Sequence, residues 1–221
     1  MPIRNVSFAN GYYYHVYNRG VNKRKIFLDN QDHQRAIDTL QYYLYSGHRL
    51  RFSYYRRLND QLKQEYSSYL MAQTVGIVSY VLMPNHFHFL INQLEDGGIS
   101  NCLRLFENSY TRYFNTKHKR IGPLLQGPFK AVTIESDSQL LHVTRYIHLN
   151  PFSSKLVDTT EKLERYPWSS YPSYLKTGRS QSFINNEIIL DQFKNQSYRT
   201  FVNERSLYQQ ELEEIKHLTI E

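Results

Sequence analysis

The sequence predicts an α+β fold: a ferredoxin-like antiparallel sheet of the split βαβ type, with helices on one face and the other face open. The first observation behind this prediction is the order of the elements, which runs strand, helix, strand, strand, helix, strand-like segment. The second is a tight Pro-Asn turn that makes the two middle strands an antiparallel hairpin. Because antiparallel sheets commonly keep one face solvated, a functional site could occupy the open face.

The first half of the chain begins with a strand over Tyr12–Asn18, which is rich in aromatic and β-branched residues and precedes a basic turn, NRGVNKRK. Helical spacing of apolar residues predicts the first helix over Asp32–Tyr45. Residues 46–74 are basic and rich in tyrosine. We expect this segment to be an excursion from the sheet, helical in its second half.

The middle of the chain contains the hairpin, formed by strands Val75–Met83 and His86–Asn92. The second helix is predicted over Ile99–Asn115, because its large apolar residues fall on one stripe, as in a helix packed on a sheet. Gly122–Glu135 then contains strand-like halves and two proline breaks. These elements supply the second half of the predicted sheet and its second covering helix.

The third helix is predicted to begin at Ser136, because Gln139 follows three residues later with the spacing of a capping box. We expect Pro151 to end it, since the residue before a proline is disfavoured in the helical region. All elements so far fall within a predicted domain over residues 1–176, which includes the excursion at 46–74. Residues 177–221 are predicted as a helical, charged tail.

Length and composition bound the class of protein. The 221 residues fit a single compact unit, and no apolar run is long enough to span a membrane. The N-terminus lacks the apolar segment of a signal peptide, so we expect a soluble, cytoplasmic protein. Its single cysteine, Cys102, excludes an internal disulfide and a cysteine-based zinc site.

The charge balance favours a polyanionic partner. The formal charge is +7, the sequence pI is about 9.3, and the basic residues interleave with 20 Tyr and 12 Phe. Aromatic rings stack on unpaired bases while Arg and Lys contact phosphates, which is the chemistry of single-stranded nucleic-acid binding. A tyrosine-rich core is the alternative explanation for the same composition.

Two histidines stand out in the second strand of the hairpin. Residues two apart in a strand point to the same face, so His86 and His88 project together while Phe87 and Phe89 face the core. Two adjacent imidazoles suit a metal, and by themselves they suit zinc or another transition metal. The alternative is that they are ordinary polar residues on the solvated side of a sheet.

The third helix offers further groups for the same site. His142, Tyr146 and Asn150 lie four residues apart on one stripe, while Leu140 and Ile147 belong to another stripe that can face the sheet. A tyrosine one turn before an amide can therefore sit beside a metal. The alternatives are that Asn150 is only a helix C-cap and that its neighbouring tyrosine is only an amphipathic edge residue.

Two motifs, PNHFHFLI and RYIHLNP, together resemble the single-tyrosine HUH transposases, where U is a hydrophobic residue, and most closely the REP-associated tyrosine transposases of bacteria. The likeness covers most of residues 10–176. It implies that His86, His88 and Asn150 hold a divalent metal, Mg²⁺ or Mn²⁺, and that Tyr146 is the nucleophile. It also implies cleavage and rejoining of single-stranded DNA near hairpins through a 5′-phosphotyrosine. One tyrosine gives one covalent linkage per site, so strand exchange would need either a homodimer or successive reactions of a monomer, and both alternatives stay open.

The chain departs from the family pattern at two places, and these departures concern inherited DNA contacts rather than the catalytic set. Pro128 stands where relatives often have arginine, and FSSKLV follows the Asn-Pro where relatives have small residues and arginine. Tyr110 and Tyr113 are competing nucleophiles, but Tyr110 lies on the apolar stripe of the second helix and Tyr113 has Lys117 rather than an amide one turn later.

The candidate DNA contacts are basic residues that follow the first strand or lie around the second helix and its exit. They are Arg19, Lys23, Arg24, Lys25, Arg112, Lys117, Lys119, Arg120 and Lys130. The alternative for any one of them is an ordinary solvated charge.

Two rival functions remain open at this stage. One is a protein of the same fold that binds structured nucleic acid without cutting it, and the presence of all four predicted catalytic and metal-binding residues argues against it. The other is a metal hydrolase of small phosphoesters, which would use the histidines and not the tyrosine.

Overall fold

A four-stranded antiparallel sheet forms the centre of the protein. The computed structural model describes residues 6–68, 72–177, 181–193 and 197–206. The strands are β1 Tyr13–Arg19, β2 Val75–Met83, β3 His86–Gln93 and β4 Lys130–Ile134, in the spatial order β2-β3-β1-β4. This is the strand order of a split βαβ sheet, so the predicted fold class is confirmed.

Helices fill the connections, and the three main ones lie where periodicity predicts them. In the part of the chain that the structure describes, two further helices occupy the predicted excursion, and four short ones follow the sheet. The helices are α1 Asn30–Tyr43, α2 Phe52–Tyr55, α3 Asp60–Ser67, α4 Gly98–Lys117, α5 Asp137–Ser153, α6 Thr160–Glu164, α7 Tyr171–Tyr174, α8 Glu187–Leu190 and α9 Tyr198–Asn203. Among the described residues, no helix is long and apolar enough to cross a membrane.

The first face of the sheet is covered by α1 and α4. Alternation along the strands sends Val16, Phe87 and Phe89 to this face, where each is at most 1% exposed. The apolar stripe of α4 packs on them, with Phe106 edge-on to both phenylalanine rings. Cys102 belongs to this core as a buried free thiol. These buried side chains form the hydrophobic core on the first face of the sheet.

The second face carries α5 over its β2 and β3 side. Val81 and Leu90 point to this face and share a buried cluster with Ile147 of α5. On the other side of the same face, Lys130 and Val132 of β4 are exposed. The second face is therefore divided into a part packed under α5 and a more open part along β1 and β4, and the histidines lie between them.

The start of α5 agrees with its prediction and its end does not. The Ser136 side chain accepts a hydrogen bond from the Gln139 N–H, and the Gln139 side chain accepts one from the Glu135 N–H. The predicted end at Pro151 is wrong, because the helix continues to Ser153. A proline this close to the C-terminus removes one bond, and serine hydroxyls there donate to carbonyls of the last turn.

The described residues after 176 pack partly against β2, through Ile184, and partly against α5. Ile189 and Val202 are fully buried in the same cluster as Ile147. His148, on α5, has its two ring nitrogens within 2.8 Å of the hydroxyls of Tyr198 and Ser170, and burial lowers its pKa to about 3. The described part of the predicted tail thus contributes to the core that supports α5.

Candidate active site

The two histidines of β3 share the second face of the sheet, as alternation predicts. The rings of His86 and His88 are perpendicular, with 5.1 Å between their centroids. His88 is 7% exposed, whereas His86, at the start of the strand, is half-buried. The pair therefore lies at the N-terminal end of β3, where the covered half of the face meets the surface.

Helix α5 brings the predicted nucleophile to this pair. The ring of Tyr146 is edge-on to His88, with 5.6 Å between the centroids. Asn150 follows one turn later, is 5% exposed, and donates from Nδ2 to the Tyr146 carbonyl at 3.2 Å. Asn150 is inside α5 and is not its C-cap. His142 is exposed and contacts Arg145.

Two residues of the neighbouring strand join the site, and the sequence arguments missed both. His15 Nε2 lies 2.9 Å from Nδ1 of His88, and the ring of Tyr17 stacks on His88 at 5.6 Å. Burial lowers the pKa of His15 to about 4, so its imidazole is neutral at physiological pH. Alternation within YYYHVYNRG predicts that His15 and Tyr17 point to the same face of β1. Only the folded structure shows that Tyr17 is paired with His88.

The hairpin turn supplies a third missed residue. Oδ1 of Asn85 lies 2.6 Å from Nδ1 of His86. Its Nδ2 donates to the carbonyl of Lys23 at 3.2 Å, which defines the orientation of the amide. Asn85 therefore joins the histidine pair to the basic loop that follows β1.

The side-chain types at the site are those that a divalent metal with open coordination positions uses as ligands. Within the described residues, no three His, Cys, Asp or Glu side chains are grouped to hold a metal. The candidate set is instead two imidazoles, His86 and His88, with an amide. Because Nδ2 of Asn150 donates to its own helix, Oδ1 is the amide atom suited to a metal. Three protein donors would leave positions for water and a phosphate oxygen.

The basic loop after β1 lies at the same end of the sheet. The loop folds back so that the Arg24 carbonyl lies against Gly20. Only glycine fits there, because a Cβ would collide with that carbonyl. Lys23, Arg24 and Lys25 are exposed on this loop. Arg19 pairs with His86 in the sheet, and its Nε is buried without a hydrogen-bond partner among the described residues. Because Arg19 and His86 are paired and project to the same face, this half-buried guanidinium is suited to a phosphate bound near the histidine.

The remaining basic candidates are dispersed. Lys130 pairs with Tyr17 across the sheet and is exposed on the open half of the second face. Arg120 is held by hydrogen bonds to Asn115 and Pro123. Arg112 and Lys119 are exposed on and just after α4. The structure thus gathers part of the predicted basic set around the end of β1.

Lys117 differs from the other basic candidates because acidic residues already neutralise it. Its ammonium donates to Asp29 at 2.8 Å and to Asp32 at 2.7 Å. Burial opposes the charge on the lysine, but these hydrogen bonds raise its pKa overall. Its observed role is in the contact between α4 and the start of α1.

Comparison with solved structures supports the fold. A REP-associated tyrosine transposase bound to a REP hairpin is similar over 85% of this chain and 93% of that chain, with 15% identity and a TM-score of 0.54. A putative transposase from Deinococcus radiodurans R1 matches 64% of this chain and 95% of that chain at 14% identity, and its TM-score of 0.35 is too low to carry weight. No curated protein matches significantly.

The family comparison covers the whole site. The profile described as "Transposase IS200 like" matches residues 9–150, from the start of β1 to the amide of α5. This range is well over half of the chain and contains both histidines and the tyrosine beside them. The resemblance to tyrosine transposases is confirmed, and the protein is a DNA-processing transposase. The chain belongs to the IS200-like transposase family.

Proposed function

We propose that this transposase is a metal-dependent strand transferase, which cleaves and rejoins single-stranded DNA next to hairpins through a 5′-phosphotyrosine on Tyr146. The observation that carries the proposal is the contact between Tyr146 and His88, whose ring centroids are 5.6 Å apart. A helix and a strand distant in sequence bring a nucleophile and a candidate metal ligand together. A nucleophile beside a candidate metal ligand is an arrangement that metal-assisted covalent catalysis uses.

The chemistry must overcome two obstacles. A phosphodiester repels nucleophiles by its charge, and a tyrosine hydroxyl with a reference pKa of about 10 is mostly protonated at neutral pH. A divalent ion held by His86, His88 and Asn150 would withdraw charge from a nonbridging phosphate oxygen and orient the phosphorus for in-line displacement. Mg²⁺ or Mn²⁺ suits a site that keeps positions for water and phosphate oxygens.

Tyr146 then supplies the covalent step. Its oxygen bonds to phosphorus, its proton is lost to solvent, and the bond to the 3′ oxygen of the preceding nucleotide breaks with its electron pair. The products are a 5′-phosphotyrosine and a free 3′ hydroxyl, which takes up a proton. Because one phosphodiester replaces another, the reverse attack by a 3′ hydroxyl rejoins the strand without a nucleotide cofactor.

Basic residues around the end of β1 are proposed to hold the DNA. Arg19 would contact the phosphate next to the histidines, because it is paired with His86 in the sheet and projects to the same face. The exposed cations of the following loop and Lys130 would hold the flanking backbone. The similar solved transposase is bound to a hairpin, which supports a hairpin next to the cleaved strand as the substrate here.

The test uses hairpin-containing single-stranded DNA labelled at either end, incubated with Mn²⁺ or Mg²⁺ and separated on a denaturing gel. Wild-type protein should give a DNA fragment that is linked to the protein. This fragment should carry the label placed at the 3′ end of the DNA. Tyr146→Phe, His86→Ala and a chelator should each abolish it. Tyr113→Phe is the matched control, since that hydroxyl donates to Asp32 away from the site and the variant should keep activity.

The same gel separates the competing functions. Tight hairpin binding without a linked product, across metals and repeat sequences, would favour a noncatalytic binder of the same fold. Cleaved DNA without linked protein, unaffected by Tyr146→Phe, would favour a metal hydrolase. Either outcome would overturn the covalent mechanism.

A further inference from the structure

The ring nitrogens of the two site histidines are held by different neighbours. Nδ1 of His88 lies 2.9 Å from Nε2 of His15, and Nδ1 of His86 lies 2.6 Å from Oδ1 of Asn85. In both rings it is Nδ1 that meets the partner. These contacts bear on which nitrogen of each ring carries the proton.

The contact at His86 has a definite direction. Nδ2 of Asn85 donates to the carbonyl of Lys23, so the atom that faces the imidazole is the amide oxygen. A carbonyl oxygen only accepts, and the proton between the two groups must therefore lie on Nδ1 of His86. In a neutral imidazole with Nδ1 protonated, Nε2 is the basic nitrogen.

The contact at His88 joins two imidazoles. A hydrogen bond between two ring nitrogens requires that one carries a proton and the other does not. A metal binds only an unprotonated imidazole nitrogen, and Nδ1 of His88 is engaged by His15. Metal binding by His88 therefore requires Nε2, a proton on its Nδ1, and His15 as the acceptor.

We propose that His15 and Asn85 are positioning residues that hold His88 and His86 in the Nδ1–H tautomer, so that Nε2 of each histidine is the metal-binding atom. The inference rests on the proposed function and deepens it. Outer partners of this kind fix the tautomer and orientation of metal-binding histidines. Here they come from two different places, the central strand β1 and the turn of the β2-β3 hairpin.

Packing supports a positioning role for His15 rather than a loose contact. Its ring lies 5.3 Å from Tyr17 and 5.9 Å from Tyr146, and it is nearly parallel to His88 at 5.0 Å. These rings limit the rotation of His15. One side chain thus contacts both a candidate metal ligand and the proposed nucleophile.

Matched variants separate the hydrogen bond from the bulk of each side chain. His15→Phe keeps a ring and removes the acceptor, whereas His15→Gln restores a polar group of similar reach. Asn85→Ala removes the acceptor for His86, and Asn85→Asp keeps an oxygen there. The first readout is the tautomer of each histidine in metal-free protein, from long-range ¹H–¹⁵N spectra assigned with His86→Gln and His88→Gln. The second is Mn²⁺ affinity, from electron paramagnetic resonance of the free ion.

Wild-type protein should show both histidines protonated on Nδ1. His15→Phe should change the tautomer of His88 and weaken Mn²⁺ binding by about ten- to a hundredfold, and Asn85→Ala should do the same through His86. His15→Gln and Asn85→Asp should restore binding close to the wild-type affinity.

Two results would overturn the inference. One is a wild-type His86 or His88 that carries its proton on Nε2, and this result needs no variant. The other is unchanged Mn²⁺ affinity in His15→Phe and Asn85→Ala. Neither readout uses DNA, so a protein that binds Mn²⁺ as expected but never links to DNA would refute the proposed function and leave the positioning roles intact.

Discussion

Tyr17 stacks on His88 with 5.6 Å between ring centroids and 27° between ring planes. Tyr146 lies at the same centroid distance from that imidazole, but edge-on, at 90°. Two phenol rings therefore accompany one candidate metal ligand, and distance alone does not select the nucleophile. The nucleophile that we propose is the one on α5, where Asn150 follows one turn later within the motif RYIHLNP.

The first prediction distinguishes these two tyrosines. Tyr146→Phe should abolish the covalent protein–DNA product, because it removes the attacking oxygen, and Tyr17→Phe should retain it, because stacking on His88 needs only the ring. The measurement is the denaturing gel with end-labelled hairpin DNA. Loss of the product in Tyr17→Phe, with retention in Tyr146→Phe, would reassign the nucleophile to β1.

A second prediction concerns Arg19. Replacing it with Met should slow strand cleavage by about a hundredfold, because one preorganised donor to the reacting phosphate is lost. It should also reduce the salt dependence of DNA binding by about one counterion. Arg104→Met, on the exposed surface of α4, is the control and should change the cleavage rate little. Equal cleavage rates in the two variants would remove Arg19 from the site.

A third prediction concerns Asp32, whose carboxylate is fully buried. This carboxylate accepts hydrogen bonds from one backbone group, the Leu28 N–H, and from the side chains of Lys117, His118 and Tyr113. Burial by itself would raise the pKa of Asp32, but these hydrogen bonds lower it below its ordinary value. The ionised carboxylate therefore stabilises the fold at a pH above the unfolded pKa of about 4, and this contribution is lost as the pH falls through the lower folded pKa.

Asp32→Asn should therefore cost about 2 kcal/mol of stability at neutral pH, where hydrogen bonds to a charged group are lost. The difference from wild type should shrink as the pH falls below about 4. Urea unfolding at a series of pH values measures both quantities. A difference that grows on acidification would contradict the assigned sign.

The fourth prediction tests the contribution of α9 to the core under α5. Tyr198→Phe removes the hydroxyl that meets His148 and should cost about 1–3 kcal/mol, the penalty for an unsatisfied buried polar group. Tyr198→Ala also removes a buried ring and should cost about 3–5 kcal/mol. Tyr54→Phe, at an exposed tyrosine, should lie within about 0.5 kcal/mol of wild type. Equal midpoints for all three in thermal unfolding would show that α9 contributes nothing.

The main elements of the fold could be predicted because each has a strong local period. Alternation in β3 identifies the face shared by the two histidines, and the stripe on α4 identifies its buried side. The end of α5 could not be predicted from Pro151 alone, because a proline near a C-terminus removes only one bond and the surrounding packing supports the remaining turn.

The candidate site could be predicted in part. His86, His88 and Tyr146 belong to recognisable motifs, and the structure brings the tyrosine to the second histidine. Lys117 shows the limit of reading charge from sequence, since its partners Asp29 and Asp32 are more than 80 positions away along the chain. From the sequence alone, a charged residue is predicted to be solvated, and only the folded structure shows which opposite charges lie beside it.

By itself, the sequence determined the approximate positions of the strands and of the three main helices, which face of β3 the histidines occupy, and to which family the motifs belong. Only the tertiary structure decided that His15 and Tyr17 lie against His88 and that Asn85 meets His86 with its oxygen. The physical reason is that alternation defines the face of a strand but not its register against another strand. That register depends on contacts between β1 and β3, which are distant in the chain and are established only by the packed core.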